Sequence, residues 1–139
     1  SLVDSAETTD KSYLLKHAQS ISQAGVWDWN IETNDLAWTD QIYNIFGEQP
    51  QSFQASYPAF LQKVDPRDRL LVENEVEKSL KNPDYRYQVS HRVLNGRNSE
   101  SWVLETGTIF RDLEQRPVRM IGIVQEIENP TQLEQQATI

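Results

Sequence analysis

The side chains that could carry chemistry in this sequence are two histidines and a scattered set of carboxylates. His17 falls in a predicted leading helix and His91 in a predicted strand, and we expect each to be a surface or half-buried polar residue. Two histidines placed so far apart do not predict a metal site, which needs several converging ligands. The sequence contains no cysteine, which excludes disulfides, thiolate metal sites and cysteine nucleophiles.

Catalysis by carboxylates requires that two of them converge in a cleft and have shifted pKa values. The aspartates that stand out by position fall instead at predicted turns, helix caps or strand exteriors: Asp28, Asp35, Asp40, Asp65 and Asp68. No serine nucleophile motif and no phosphate-binding glycine loop is present, because the five glycines are isolated. We therefore predict that the chain has no catalytic residues and is not an enzyme.

The charge and hydropathy of the chain exclude two further classes of partner. A formal net charge of -8 repels phosphate backbones, and the arginines that recur at strand-like spacing, Arg86, Arg92, Arg97 and Arg111, are predicted to lie on solvated faces. No apolar run approaches the ~20 residues that span a bilayer, and no signal peptide is visible. The chain begins at Ser1 without methionine, so we expect it to be part of a larger protein. Together these features predict a cytoplasmic domain without nucleic-acid or membrane contacts.

The first third of the chain has the pattern of a helix followed by a hairpin. Leu14, Ala18 and Ile21 lie at helical spacing and predict an amphipathic helix over residues 11–24, after a polar tip. Residues 25–39, GVWDWNIETNDLAWT, alternate apolar and polar side chains around a turn, which predicts a β-hairpin. Thr39 is placed to cap a short helix that ends at Gly47.

The remainder of the chain predicts two more helices and three strands. Pro58 can open a short helix, and Asp65 and Pro66 can open a longer one. The apolar stripe of the longer helix is Leu71, Val72, Val76 and Leu80. Three alternating segments between residues 85 and 127 predict strands, with Trp102 and Leu104 on the apolar face of the second. The predicted fold class is α+β: a five-stranded antiparallel sheet with helices on one face, plus the N-terminal amphipathic helix.

Four segments, in this order, resemble motifs of the PAS family, in its subgroup with a tryptophan-rich first strand and PAC-type C-terminal strands. GVWDWN at 25–30 resembles the opening Gly-x-Trp-x-Trp-Asp, and LAWTDQIYNIFG at 36–47 resembles the segment that runs from Trp-Ser to Gly. VDPRDR at 64–69 resembles the Val-His-Pro loop, and HRVLNGRNSESWV at 91–103 resembles the His-Arg-Val hairpin. GIVQEI at 122–127 resembles the closing strand. The resemblance covers residues 25–128, which leaves 1–24 as a flanking segment and 129–139 as the start of a linker helix.

The resemblance implies an interior, between sheet and helices, that holds a small organic ligand or is packed core. The candidate lining residues are Trp27, Trp29, Tyr43, Phe46, Phe60, Val72, Val76, Tyr87, Val89, Trp102, Leu104, Ile121 and Ile123. Flavin photochemistry in this family needs a cysteine, and a haem usually needs an axial histidine, which the helix expected beside the interior does not contain. We therefore predict no cofactor and no metal.

In function, the resemblance implies a signal-transduction module of a bacterial-type sensory protein. Such a module senses a small ligand or a partner and relays it to an output domain absent from this chain, a histidine kinase or a cyclic-dinucleotide enzyme. The alternative is a passive dimerisation or protein-docking module with a filled core and no ligand. PAS relatives commonly dimerise through the leading helix, so we predict a homodimer through Leu14, Ala18 and Ile21 and the exposed face of the sheet.

Overall fold

The computed structural model describes residues 23–130. These residues form a five-stranded antiparallel sheet of order β2-β1-β5-β4-β3, with helices on one face, which confirms the predicted fold class. The predicted helix over residues 11–24, with its dimer residues Leu14, Ala18 and Ile21, lies almost wholly outside the described residues.

The strands and helices have the following bounds. The strands are β1 (Gly25–Asn30), β2 (Asp35–Trp38), β3 (Tyr87–Val93), β4 (Ser101–Arg111) and β5 (Pro117–Ile127). The helices are α1 (Asp40–Ile45), α2 (Tyr57–Lys63) and α3 (Arg69–Lys81), and a short 3-10 turn (Pro66–Asp68) leads into α3.

The connections between these elements follow the predicted turn chemistry, with one exception. Gly47 has a φ of 75°, the left-handed conformation that commonly ends a helix. Ser56 caps α2, and Asp65 accepts a hydrogen bond from the backbone N–H of Arg67 at the start of the 3-10 turn. Thr39 is the N-cap of α1, but its hydroxyl accepts a hydrogen bond from the Val26 N–H at 2.9 Å. The Thr39 side chain therefore ties α1 to the sheet and does not cap the helix.

Two of the arginines predicted to be solvated connect elements of the fold instead. Arg92 on β3 forms a two-pronged ion pair with the buried Asp68, at 2.6 and 2.9 Å, which lowers the pKa of that carboxyl through its hydrogen bonds. Arg111 on β4 donates to the carbonyl oxygens of Ser79 and Leu80, among the last carbonyls of α3. Each arginine thus anchors one end of α3 to the sheet.

The alternation of β4 and β5 is one residue out of phase with the prediction. Val103 and Glu105 on β4 and Met120 and Val124 on β5 are buried and face the helices. Trp102, Leu104, Ile121 and Ile123 lie on the opposite, outer face and are only half-buried, so placing them in the interior was wrong. Both parities of these strands carry large apolar side chains, and an isolated strand therefore does not reveal which face is inside.

Candidate ligand cavity

A cavity of about 40 Å³ lies between the sheet and the helices, and its wall is almost entirely apolar. One wall residue is charged, the carboxylate of Glu105. The lining residues are Trp27, Trp29, Leu36, Trp38, Ile42, Phe46, Tyr57, Phe60, Val76, Tyr87, Glu105, Met120 and Val124.

Two glycines make room for the Trp27 indole, which lines the cavity. Trp27 is paired with Gly122 on β5, Gly122 with Gly107 on β4, and Gly107 with Tyr87 on β3. The Trp27 indole occupies the space over this row, since a Cβ added at Gly122 would come within 2.1 Å of the ring and one at Gly107 within 2.8 Å. The indole then meets Tyr87 edge-on, with ring centroids 6.0 Å apart.

A cluster of edge-on aromatic rings supports the cavity wall at Trp38 and Phe46. Trp38 meets Tyr43 at 5.2 Å, Phe46 at 5.4 Å and Phe53 at 5.8 Å between ring centroids. The Tyr43 hydroxyl donates to the carbonyl oxygen of Phe53 at 2.7 Å, which fixes the loop before α2 against this wall. Edge-on pairs of this kind are favoured by the ring quadrupoles and stabilise the packing behind the cavity wall.

Trp29 and Tyr57 are the partly exposed members of the lining, and they stack on each other. Their ring centroids are 5.8 Å apart and their planes differ by 13°. The Trp29 indole N–H donates to Asn34 Oδ1 in the β1–β2 turn at 3.0 Å. Because this pair joins the sheet to α2 where the lining reaches solvent, it is the part of the wall through which a molecule could enter.

The buried carboxylate of Glu105 is paired with a buried histidine that sequence reasoning did not identify. His91 is 0% exposed and Glu105 2% exposed. His91 Nε2 contacts Glu105 Oε2, and its Nδ1 contacts the Arg92 carbonyl oxygen at 3.1 Å. The expectation of a surface or half-buried His91 was therefore wrong. The signal in the sequence was the inward phase that His91 shares with Tyr87, Val89 and Val93 on β3.

Burial and the Glu105 charge also act on the two tyrosines of the lining. Burial, followed by the charges of Glu73 and Glu105, raises the pKa of Tyr57 to about 12. Burial and then the Glu105 charge raise the pKa of Tyr87 well above its ordinary value. Both phenols are therefore protonated at neutral pH and present neutral hydroxyl groups.

The predicted lining residues fall into three groups. Six line the cavity: Trp27, Trp29, Phe46, Phe60, Val76 and Tyr87. Tyr43, Val72 and Val89 are buried in the surrounding core without reaching the cavity. The remaining four, on the outer face, are those affected by the phase error of β4 and β5. Whether any of these residues binds a ligand stays a prediction.

The free energy of unfolding is expected to decrease as the pH rises through the folded-state pKa of His91. Burial alone would lower this pKa, but the charge and hydrogen bond of Glu105 outweigh burial and hold it above its usual 6.5. A histidine whose pKa is raised by folding contributes stability that is fully present below pH 6.5 and is lost as the pH passes the raised value. Urea unfolding from mildly acidic to mildly basic pH measures this slope. His91→Gln should flatten it and His17→Gln should not; a slope of opposite sign would contradict the assignment.

The purified protein is expected to show only the near-ultraviolet absorption of its four tryptophans and five tyrosines. The reason is the absence of cysteine and the engagement of His91 by Glu105, which leaves it unavailable as an axial ligand. Among residues 23–130, no group of three or more His, Cys, Asp or Glu side chains is arranged to hold a metal ion. An absorption spectrum recorded after gentle purification provides the test, and a Soret or flavin band would contradict this prediction.

Within residues 23–130, no helix has the length and apolar character required to cross a membrane.

The geometry has clear counterparts among known proteins. Sensor protein FixL of Bradyrhizobium diazoefficiens is 30% identical over 113 residues, which is 79% of this chain and 21% of FixL, so the chain spans about a fifth of that relative. A sensory box histidine kinase/response regulator from Burkholderia thailandensis E264 superposes with a TM-score of 0.68 at 22% identity, covering 89% of this chain and 92% of that chain.

A second solved structure and a family match agree. The N-terminal domain of a diguanylate cyclase with PAS/PAC sensor from Marinobacter aquaeolei superposes with a TM-score of 0.64 at 20% identity, covering 74% of this chain and 94% of that chain. At such identities the two structures establish the fold alone. Residues 35–124 match the protein family described as PAS fold. This match covers more than half of the chain, and the protein therefore belongs to the PAS-fold family.

Proposed function

We propose that this domain is a non-catalytic, cytoplasmic sensory module that binds a small ligand in the cavity and relays the event to an output domain beyond this chain. The observation that carries the proposal is the aromatic cavity with one carboxylate in its wall. The Trp27 indole N–H is buried and makes no hydrogen bond within residues 23–130. A buried donor without a partner destabilises a protein, and a water molecule bound in the cavity would satisfy it.

The sheet offers a direct route from the cavity to the end of the domain. Glu105 lies on β4, which pairs with β5 from Trp102 to Arg111. β5 ends at Ile127, and Pro130 already has helical conformation, in line with the proposed linker helix over 129–139. A change in the pairing or tilt of these strands would move the start of that linker. By similarity to the named relatives, the proposed output domain is a histidine kinase or a cyclic-dinucleotide enzyme.

A fragment screen by protein NMR tests the ligand proposal. Val76→Phe places a ring in the cavity from α3, whereas Leu71→Phe adds the same ring on the exposed side of the same helix. We expect small molecules that shift the resonances of cavity residues in wild type and in Leu71→Phe, and that fail to do so in Val76→Phe. If the fragments shift only surface resonances, or if Val76→Phe binds them equally well, the cavity is not the binding site.

A passive docking or dimerisation module remains the second candidate, and the small volume of the cavity favours it. The outer face of the sheet supplies an apolar surface for such a role. Its residues include Val26, Trp102, Leu104, Ile121 and Ile123, of which Val26 is 39% exposed. This candidate predicts that no small molecule perturbs the resonances of the cavity residues. Only association with a second copy or another protein should then change the resonances of the domain.

The protein is expected to form a weak homodimer that depends on residues 1–24. An isolated helix of the predicted length is marginal in water, so its apolar residues Leu14, Ala18 and Ile21 need a partner surface. The outer sheet face provides such a surface. Light scattering over a range of concentrations should show a rising average mass for the full chain and a monomer for residues 25–139. Constant monomeric masses for both proteins would contradict the dimer.

A further inference from the structure

Besides the tryptophan indoles, three side chains with polar atoms line the cavity: Glu105, Tyr57 and Tyr87. Glu105 Oε2 is taken by His91, whereas no residue within 23–130 donates a hydrogen bond to Oε1. The hydroxyl groups of Tyr57 and Tyr87 likewise make no hydrogen bond to a described residue, although both rings line the same cavity. Both tyrosines and Glu105 line the same cavity. Three of the lining side chains therefore carry an oxygen acceptor without a donor among the described residues.

The rest of the wall is aromatic and can accommodate a positive charge as well as an apolar group. Seven aromatic rings line the cavity: Trp27, Trp29, Trp38, Phe46, Tyr57, Phe60 and Tyr87. The face of an aromatic ring attracts a cation within about 6 Å of its centre, and the attraction is stronger when the cation is desolvated. The buried Glu105 carboxylate attracts the same ion, in competition with His91.

The volume of the cavity limits the size of the occupant. A space of about 40 Å³ holds about three or four water-sized groups at roughly 10–15 Å³ each. A molecule of about that many non-hydrogen atoms fits without rearrangement, and a longer one would have to displace the Trp29–Tyr57 pair. An ammonium group carries three N–H donors, and Glu105 Oε1 can accept one of them.

We propose that the cavity binds a small primary alkylammonium ion, whose ammonium group donates to Glu105 Oε1 and whose alkyl group packs against the aromatic rings. This inference rests on the proposed function and names the chemical class of its ligand. Lining aromatics would bind many apolar molecules, so the selectivity for a cation resides in Glu105.

His91 makes this binding dependent on pH. Glu105 supplies a single negative charge, and the imidazolium of His91 and the ammonium ion compete for it. The other charged group that acts on His91 is Asp68, whose carboxylate is already paired with Arg92. Glu73 and Glu75 on α3 act on the two lining tyrosines. Because the Arg92 guanidinium is held by Asp68, it does not compete for Glu105. Binding of the ammonium ion therefore releases a proton from His91, and its affinity weakens up to about tenfold for each pH unit below the pKa of His91.

Two molecules of the same shape and different charge test the proposal on the wild-type protein. Isopropylammonium and propan-2-ol each have four non-hydrogen atoms and differ in the ammonium and hydroxyl groups. Tryptophan fluorescence and NMR titration should show that the ammonium ion binds at least about tenfold more tightly, since hydrogen bonds to a charged group are worth more than neutral ones. Calorimetry at pH 6.5 in buffers of different ionisation enthalpy should show proton release, since the raised pKa keeps His91 mostly protonated there.

Two variants distinguish binding of the cation in the cavity from its general attraction to the negatively charged surface. Glu105→Gln should lose the preference for isopropylammonium over propan-2-ol. Glu73→Gln removes the same charge from an exposed position on α3 and should keep that preference. Added salt should weaken the binding only slightly, because a buried pair is screened less than an exposed one.

The outcomes distinguish this inference from the proposal that the cavity binds a ligand. Equal affinity for the two molecules, or no binding of isopropylammonium, overturns the cation assignment, even if neutral aromatic fragments still enter the cavity. If neither ions nor fragments shift the resonances of the cavity residues, the proposed ligand-binding function is wrong as well. If Glu105→Gln does not fold, the wild-type comparison and the proton release still decide.

Discussion

Replacing His91 with alanine is expected to lower the free energy of unfolding by about 3–5 kcal/mol, because removal of one partner leaves the other charge buried and uncompensated. His91 and Glu105 are both almost fully excluded from solvent, and they lie on adjacent strands as diagonal neighbours, with Val103 opposite His91 and Val89 opposite Glu105. Water cannot reach the isolated Glu105 carboxylate without opening the core. Urea-induced unfolding followed by tryptophan fluorescence measures the change.

The reverse and double replacements identify the cause of this loss. Glu105→Ala should destabilise the domain by a similar amount, since it leaves the histidine without its partner. The double variant His91→Leu/Glu105→Met removes both polar groups and should recover most of the loss, because apolar side chains of similar volume often replace a buried ion pair without penalty. If the double variant is as unstable as the sum of the single ones, the cavity left by the side chains, and not the unpaired charge, is the cause.

Truncating Trp38 to alanine is expected to destabilise the domain by about 3–5 kcal/mol, the usual range for removal of a large buried aromatic side chain. Trp38 is 6% exposed and meets three other rings edge-on, so its removal opens a space that Tyr43, Phe46 and Phe53 cannot fill without rearranging. Thermal and urea unfolding of the variant should show the loss.

Trp102→Ala provides the matched control on the other face of the sheet. Trp102 is half-buried, and the Arg92 guanidinium lies 5.1 Å from its ring centre, a cation–π contact worth about 0.5–2 kcal/mol. We expect its truncation to have less than half the effect of Trp38→Ala. Equal losses for the two variants would place Trp102 in the core, as the alternation of β4 had suggested.

The local sequence pattern correctly predicted those elements in which all residues favour the same secondary structure and the same buried face. Trp27 and Trp29 alternate with polar residues, and only one face of β1 could therefore be buried. Gly47 and Asp65 occupy backbone positions where few other residues serve as well, so a helix end and a turn could be predicted from them. Among the candidate lining residues, those on β1, the helices and β3 are buried or partly buried, as predicted.

The phase of β4 and β5 depends on residues far away in the sequence. The even positions of β4 include Trp102 and Leu104, and hydrophobicity alone favours turning them inward. The odd positions of β4 and the even positions of β5 face the core, because Gly107 and Gly122 leave the space that the Trp27 indole occupies. Trp27 and its paired residue Gly122 are nearly a hundred residues apart in the sequence. A strand can present only one of its faces to the core, and the shape of the opposing side chains selects it.

The sequence by itself determined the fold class, the family and the aromatic character of the interior, because these follow from local periodicity and motifs in a fixed order. Only the tertiary structure decided that Glu105 faces inward, that His91 compensates it and that a cavity remains beside them. A buried polar residue is stable only with a partner, and the partner of Glu105 lies on another strand, 14 residues away. No pattern within either strand predicts that pairing, and the candidate site depends on it.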